Sequence, residues 1–334
     1  MPLEALRFDV TPIGLHYLLI HYDIPVVDPE TWTLEIDGLV EKPLSLSLED
    51  LRSRPSLEVV STMECAGNGR VHIEPRVVSQ PWLLEAVGNA RWKGVALAPL
   101  LEEAGLRDDA VEVLFEGLDR GVEGGEEQFY ARSLSLSEAR RDDVLLAYEV
   151  NDVPLPPQHG FPLRLLVPGW YGMTSVKWLA RITALDTPFD GYYQRRSYRL
   201  RQQEDEVGEP VSWIQVRALM APPGIPEYLS RARIVSAGEC MLEGRAWSGE
   251  AEIDGVEVSV DGGQTWAGAE LVQRSGGRWA WRGWRFAWNA EPGEYELCCR
   301  ARDDAGNVQP LEPPWNLGGY VNNAVHRVSV TVVE

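Results

Sequence analysis

Residues 256–271 read VEVSVDGGQTWAGAEL. Side chains alternate along an extended chain, so Val256, Val258 and Val260 share one face. Asp261, Gly262 and Gly263 supply the turn that sends the chain back. RWAWRGWRFAW (278–288), GEYELCCRARDDAGN (293–307) and HRVSVTVV (326–333) continue the pattern, with turn signals between the short strands. Strands at roughly ten-residue spacing with no helical periodicity predict a β-sandwich of immunoglobulin type. Trp266, Trp279, Trp281, Trp284 and Trp288 are read as filling its core or a subunit interface.

Upstream the texture changes. RQQEDEVGEP (201–210) is acidic, contains Gly and Pro, and suits an exposed linker. Before it, strand-like and helical runs mix. WTLEIDGLV (32–40), AVEVLFEG (110–117) and FPLRLLVPG (161–169) read as strands. LLAYEVNDVPL (145–155) reads as two strands around an Asn-Asp turn. Ser47 offers a cap for a short helix within 46–55, and a second helix is expected over 97–104. Without regular βαβα alternation this is an α+β pattern. The expected organisation is an α+β catalytic domain, 1–208, followed by an all-β immunoglobulin-like sandwich, 209–334.

The chain has 334 residues and a net charge of −20. That charge argues against nucleic-acid or anionic-membrane partners, which need a basic footprint. A small anion remains possible where basic residues gather, as at Arg195, Arg196, Arg199 and Arg201. No apolar run reaches the roughly 18 residues of a membrane span. The N-terminus shows no basic region followed by a cleavage site, so a cytoplasmic location is expected, or a periplasmic one if a leader was removed. Four cysteines, 65, 240, 298 and 299, make neither a disulfide framework nor a zinc or haem-attachment spacing.

Cys65 heads the loop MECAGNGR (63–70), which bends easily and lets a large group approach. Three readings stay open on these residues alone. It is a core cysteine, a nucleophilic thiol with His72 nearby in sequence, or a metal ligand whose thiolate Arg70 favours.

The wider sequence resembles the sulfite oxidase family of molybdenum enzymes. CAGNGR (65–70), ARWKGVAL (90–97), FEGLD (115–119), LLAYEVND (145–152), LPPQHGFPLRLLVPG (155–169), VKWL (176–179) and QRRSY (194–198) follow in that family's order. RAWSG (245–249), VSVDGGQTW (258–266), DDAGNVQP (303–310), PPWNLGG (313–319) and NNAVHRV (322–328) resemble its C-terminal dimerisation domain. The resemblance runs from about residue 15 to 332. It implies that Cys65 is the protein's ligand to a molybdenum held by a pterin dithiolene, with soft sulfur donors on both sides. It further implies pterin and phosphate contacts at His21, Asp119, His159, Arg164, Ser175, Val176 and Lys177, and a substrate pocket with Arg70, Trp82 and Tyr198.

Two arginines of the family's pocket are replaced. YLLIH (17–21) puts Leu19 at one position, and WNLGG (315–319) puts Gly318 at the other. Each lost charge-assisted contact is worth about 1.5–3 kcal/mol, so a dianion would bind roughly a hundredfold more weakly or worse. Either Lys93, Arg195, Arg196 or Arg199 substitutes in space, or sulfite is not the substrate.

The resemblance implies oxygen-atom transfer to a small oxyanion, most simply sulfite to sulfate. Electrons would pass to an external acceptor, a cytochrome or oxygen, since no haem-binding segment is seen. The alternative with the same cofactor is a reductase of S-oxides, N-oxides or another oxidised small substrate. A non-enzymatic scaffold is the third reading, and the intact ligand loop speaks against it. A homodimer through the second domain is expected.

Overall fold

The computed structural model describes residues 1–273 and 275–334. In the first half, five strands form one mixed sheet in the order Leu44–Ser47, Thr33–Gly38, Leu179–Leu185, Glu112–Glu123, Glu126–Ser135. Leu34 and Ile36 alternate into the core from Thr33–Gly38, and Glu35 and Asp37 face outward. The short helix Leu48–Arg52 starts where the sequence places it. Ser47 accepts from the Asp50 backbone while the Asp50 carboxylate accepts from Ser47, closing a capping box. The helix Leu97–Ala104 buries Leu97, Leu100 and Leu101 and ends at Gly105, whose φ of +70° favours glycine.

The second sheet of this half carries the ligand loop. Its central strands are Ser56–Glu64, Val87–Ala96 and Leu145–Val150, with Val153–Pro154 and Arg164–Leu166 both paired to the last. Asn151 and Asp152 make the expected tight turn with φ of 49° and 65°. Ser56–Glu64 runs inward, exposed at its start and buried at its end, and delivers Cys65 to the middle of the molecule.

The acidic stretch 201–208 is exposed, yet it is closed into a hairpin rather than left as a free linker. Arg199–Leu200 pairs with Glu209–Pro210, and Gln202 Nε2 donates to the Trp315 carbonyl at 2.9 Å. Beyond it lie two facing sheets. One runs Arg217–Ala221, Gly238–Trp247, Arg282–Ala290, Glu270–Leu271. The other runs Ile225–Pro226, Arg233–Ser236, His326–Val333, Gly293–Asp303, Ile253–Ser259, Ala267–Gly268.

Between these sheets pack Val256, Val258, Leu297, Cys299, Val328, Val330, Trp284 and Trp288, which makes this half the expected immunoglobulin-like sandwich. Burying one tryptophan removes enough apolar surface to contribute about 4–6 kcal/mol. The remaining tryptophans do other work. Trp281 joins Trp247 in the core of the first half. Trp279 is half-buried and stacks on Trp213, and Trp266 lies half-buried beneath Arg300. The two halves therefore share a core rather than touching at a surface.

Candidate active site

The glycines of the ligand loop have identifiable causes. Cys65 N–H donates to the Ala86 carbonyl at 2.9 Å, and the Cys65 carbonyl accepts from Asn68 N–H at 2.9 Å. The guanidinium of Arg70 folds back over residue 67, where a Cβ would come within 2.6 Å of it. Gly69 takes φ +85° to start the single turn Arg70–His72. Arg70 is thereby turned away from the sheet: Nε donates to the Gly318 carbonyl and Nη1 to the Gln80 carbonyl, each at 3.0 Å. Its guanidinium stands 5.0 Å from the centre of the Tyr320 ring.

Residues of the second half hold the loop from behind. Glu64 is buried and accepts from Arg217 Nη1 at 2.5 Å, Asn68 Nδ2 at 2.9 Å and Trp247 Nε1 at 2.8 Å. Asn322 Nδ2 donates to the Gly69 carbonyl at 2.7 Å, and Val321 N–H to the Ala66 carbonyl at 2.8 Å.

Burial pushes the Cys65 thiol up to about 11, against the pull of the Gly67 amide and Arg70. Such a sulfur is a neutral thiol at neutral pH and a poor nucleophile. His72, its possible base, lines a different cavity with Leu311 and Arg327. A soft metal ion would deprotonate the thiol outright. Of the three readings of this cysteine, these surroundings speak against the nucleophile and accommodate both a core thiol and a ligand.

Cys65 borders two spaces. The inner one is a narrow cavity lined by His21, Asp119, His159, Arg164, Ser175 and Lys177 among the expected residues. His16, Tyr17, Met63, Tyr130 and Met173 join them, and these sequence reasoning missed. Val176 is fully buried but does not line the cavity; its carbonyl accepts from Leu165 N–H at 2.8 Å. Arg164 is aimed by the His159 and Ser175 carbonyls, at 3.1 and 3.0 Å, and lies over the Trp92 ring.

This cavity gathers more basic groups than acidic ones. Burial and the neighbouring Arg164 bring Lys177 down to about 7, opposed by Asp119, and burial brings Arg164 down to about 10. His159 and His21 are both lowered to about 3, chiefly by burial and then by neighbouring positive charge. Burial raises Asp119 to about 7 despite Lys177. Arg164 Nε, Asp119 Oδ1 and His16 Nε2 are buried with no partner among the described residues. Suppressed cations and the unpaired Arg164 donor are what a phosphate would satisfy, while the free acceptors at Asp119 Oδ1 and His16 Nε2 suit the donors of a polar ring system. The residues present fit a pterin phosphate.

The outer space is a funnel of about 440 Å³ that shares Leu19, His21, Cys65 and Tyr198 with the inner cavity. Arg70 and Trp82 line it, as the resemblance implies, together with Gln80, Glu123, Tyr192, Tyr193 and Tyr320. Tyr198 adopts φ +52°, uncommon for a non-glycine residue, and its hydroxyl meets His21 Nε2 at 2.6 Å. None of the expected substitute cations lines the funnel. Lys93 pairs with Glu149 at 3.5 Å and the exposed Arg195 with Asp190 at 3.5 Å. Arg196 is exposed, and Arg199 is tied to the Val207 and Gly208 carbonyls of its own hairpin. The buried Arg132 sits behind the wall, donating to the Tyr193 carbonyl with its guanidinium 5.8 Å from the Tyr198 ring.

Comparison with known proteins places this geometry. Residues 21–193 match the oxidoreductase molybdopterin binding domain, and residues 211–333 the Mo-co oxidoreductase dimerisation domain. The chain belongs to the sulfite oxidase family. It is 39% identical to mitochondrial sulfite oxidase of Rattus norvegicus over 97% of this chain and 62% of that protein. It is 34% identical to sulfite oxidase of Arabidopsis thaliana, covering 96% of this chain and 87% of that one. Nitrate reductase of Hordeum vulgare is 33% identical over 97% of this chain and 39% of its own length. The crystal structure of the sulfane dehydrogenase SoxCD from Paracoccus pantotrophus superposes with a TM-score of 0.86 at 26% identity, covering 100% of this chain and 86% of that one. The chain spans about three fifths, 62%, of the length of the mammalian relatives it matches. As in its family, the first half is a molybdopterin-binding domain. Among the described residues no helix is long and apolar enough to cross a membrane.

Proposed function

We propose that this protein is a molybdopterin oxidoreductase that oxidises sulfite to sulfate, hands the electrons to an external acceptor, and works as a homodimer. Residues 1–208 form the catalytic domain in this reading, and 209–334 the dimerisation domain. The observation that carries it is the position of Cys65, whose side chain borders both a cavity rich in suppressed cations and an open funnel holding Arg70. Arg164, Lys177, Ser175, His159, His21 and Asp119 would hold the pterin and its phosphate, and Cys65 would ligate the metal. When bound, that cofactor supplies the two-electron redox chemistry and the site of oxygen transfer.

The chain's own residues do the rest. Arg70 holds an anionic sulfur oxygen by a charge-assisted bond and stabilises negative charge as it develops. Its backbone anchors at Gly318 and Gln80 fix the guanidinium before substrate arrives, so little ordering is needed at the moment of reaction. The Tyr198 hydroxyl, held on His21, presents a hydrogen bond at the junction of the two spaces. Trp82 walls the funnel and limits water. The net reaction adds one oxygen from water to sulfur and releases two protons and two electrons.

A reductive reading draws on a specific observation: Leu19 and Gly318 leave Arg70 as the only cation lining the funnel among the described residues. One set of assays separates the two. Protein from a host that makes the cofactor is assayed for molybdenum per chain, for sulfite-dependent ferricyanide reduction, and for sulfoxide-dependent oxidation of reduced viologen. The proposal expects near-stoichiometric metal and turnover with sulfite, both lost in Cys65→Ser. Turnover confined to the viologen assay, or metal content unchanged in Cys65→Ser, would overturn it.

A further inference from the structure

The funnel is shaped for one negative charge and a large apolar group. Among its lining residues the charges are one cation, Arg70, and one half-exposed carboxylate, Glu123, which accepts from the Tyr192 hydroxyl at 3.0 Å. The two offset each other at the wall, and Arg132, the further guanidinium nearby, lies buried behind Tyr198 rather than lining the space. Arg70 has already given Nε–H and one Nη1–H to backbone carbonyls, which leaves Nη2 and the second Nη1–H without a protein partner among the described residues. This one part-committed guanidinium is the funnel's cationic contact and suits one anionic head.

The walls are aromatic. Trp82, Tyr192, Tyr193, Tyr198 and Tyr320 surround the space, and Leu19 closes its inner end. Tyr320 and an arginine at position 318 exclude each other. A Cβ at Gly318 would collide with the Tyr320 ring, which lies 5.2 Å from the Tyr198 ring with its hydroxyl 3.2 Å from Ser197 Oγ. A ring therefore fills the space beside position 318. At about 440 Å³ the funnel also exceeds what a bare inorganic oxyanion requires.

We propose that this funnel selects organic sulfinates, monoanions carrying an aromatic or branched aliphatic group, over sulfite. The inference rests on the sulfur-oxidising reading above and narrows its substrate class. A sulfinate keeps the sulfur lone pair that oxidation requires. One oxygen from water is added to sulfur, the carbon–sulfur bond stays intact, and two protons are released. Two electrons leave singly to a one-electron acceptor such as a cytochrome. The product sulfonate also carries a single charge, matched to Arg70, while its substituent lies against Tyr320 and Trp82.

The test uses molybdenum-loaded protein with ferricyanide as acceptor, comparing benzenesulfinate with sulfite. Calorimetry of the same protein compares benzenesulfonate with sulfate at fixed ionic strength. The expected result is a preference of about tenfold or more for the organic compound in both kcat/KM and affinity. Tyr320→Leu is expected to weaken benzenesulfonate about tenfold with little change for sulfate. Glu123→Gln should strengthen sulfate severalfold and leave benzenesulfonate within about twofold. Sulfate binding as tightly as benzenesulfonate, or sulfite turned over more efficiently than benzenesulfinate, would overturn the proposal. Tighter benzenesulfonate binding with neither substrate oxidised would support the funnel's preference and overturn the sulfur-oxidising reading instead.

Discussion

Replacing Glu64 by Gln tests how the ligand loop is held. The carboxylate is 1% exposed and faces an equally buried Arg217 at 2.5 Å, with Asn68 and Trp247 as further donors. An amide keeps the shape and still accepts one hydrogen bond, but it removes the only countercharge that the buried guanidinium has among the described residues. Leaving a buried charge uncompensated costs about 3–5 kcal/mol, a large share of a typical folding free energy. The second substitution, Arg217→Met, removes that stranded charge. The double variant should therefore lose less than the sum of the two single losses, by about 2 kcal/mol or more. Denaturant midpoints of the four proteins measure this cycle, and molybdenum content measures its consequence at Cys65. A Glu64→Gln loss below about 1 kcal/mol, or single losses that add to within about 0.5 kcal/mol, would refute the reasoning.

Lys177→Ala removes one charge-assisted contact to the cofactor, worth about 1.5–3 kcal/mol, so molybdenum should leave on dialysis at least ~10-fold more readily. Metal content of the variant equal to that of the parent would contradict this. Trp284→Ala opens a void between the two sheets of the sandwich and should cost about 3–5 kcal/mol in denaturant midpoint, while an effect below about 1 kcal/mol would show the core to be loose there. His326 accepts from the Met220 N–H at 3.0 Å, and burial, then Arg217 and His72, lower it from 6.5 to about 3. The unfolded chain binds the proton first, so this stability is whole above about pH 6.5 and falls by about 1.4 kcal/mol per pH unit towards pH 3. Denaturation at several pH values would show a shallower acid slope in His326→Asn if this holds. Light scattering should give twice the 37.4 kDa chain mass, and a monomer at micromolar concentration would remove the dimer.

Locally encoded features were legible in the sequence. The Ser47 cap, the helix Leu97–Ala104 and the Asn151-Asp152 turn each follow from residues a few positions apart, and so do the period-two strands of the sandwich. The site was legible through its motifs, which carry Cys65, His159, Arg164 and Lys177 to one cavity. Partnerships set by packing over long separations were not. Glu64 and Arg217 stand 153 residues apart, and Arg70 meets the Gly318 carbonyl 248 residues away. Nothing in the spacing of either residue announces the other. The basic gathering at 195–201 misled for the same reason. Arg199 could reach the funnel only by giving up two backbone carbonyls of its own hairpin. Tyr320 stands two residues after Gly318 in the sequence, and only its ring position shows that it fills the space a side chain at 318 would need.

The energetics of the inner cavity tie cofactor loading to folding. Lys177, Arg164, His159 and His21 are crowded around one space and their proton affinities are depressed, chiefly by lost solvation. Assembling that cluster costs free energy, offset within the cavity by the Asp119 carboxyl and by the carbonyls of Leu19, His159 and Ser175. An anionic group placed there returns the lost affinity to each cation, so binding strength and the repair of a strained electrostatic site are the same quantity. The second half bears on this balance without touching the cavity. Arg217, Trp247 and Asn322 immobilise the loop that presents Cys65, so the sulfur need not be ordered when the cofactor arrives. A domain that served only to join two subunits would have no reason to place its most deeply buried arginine, Arg217, against the residue preceding the ligand.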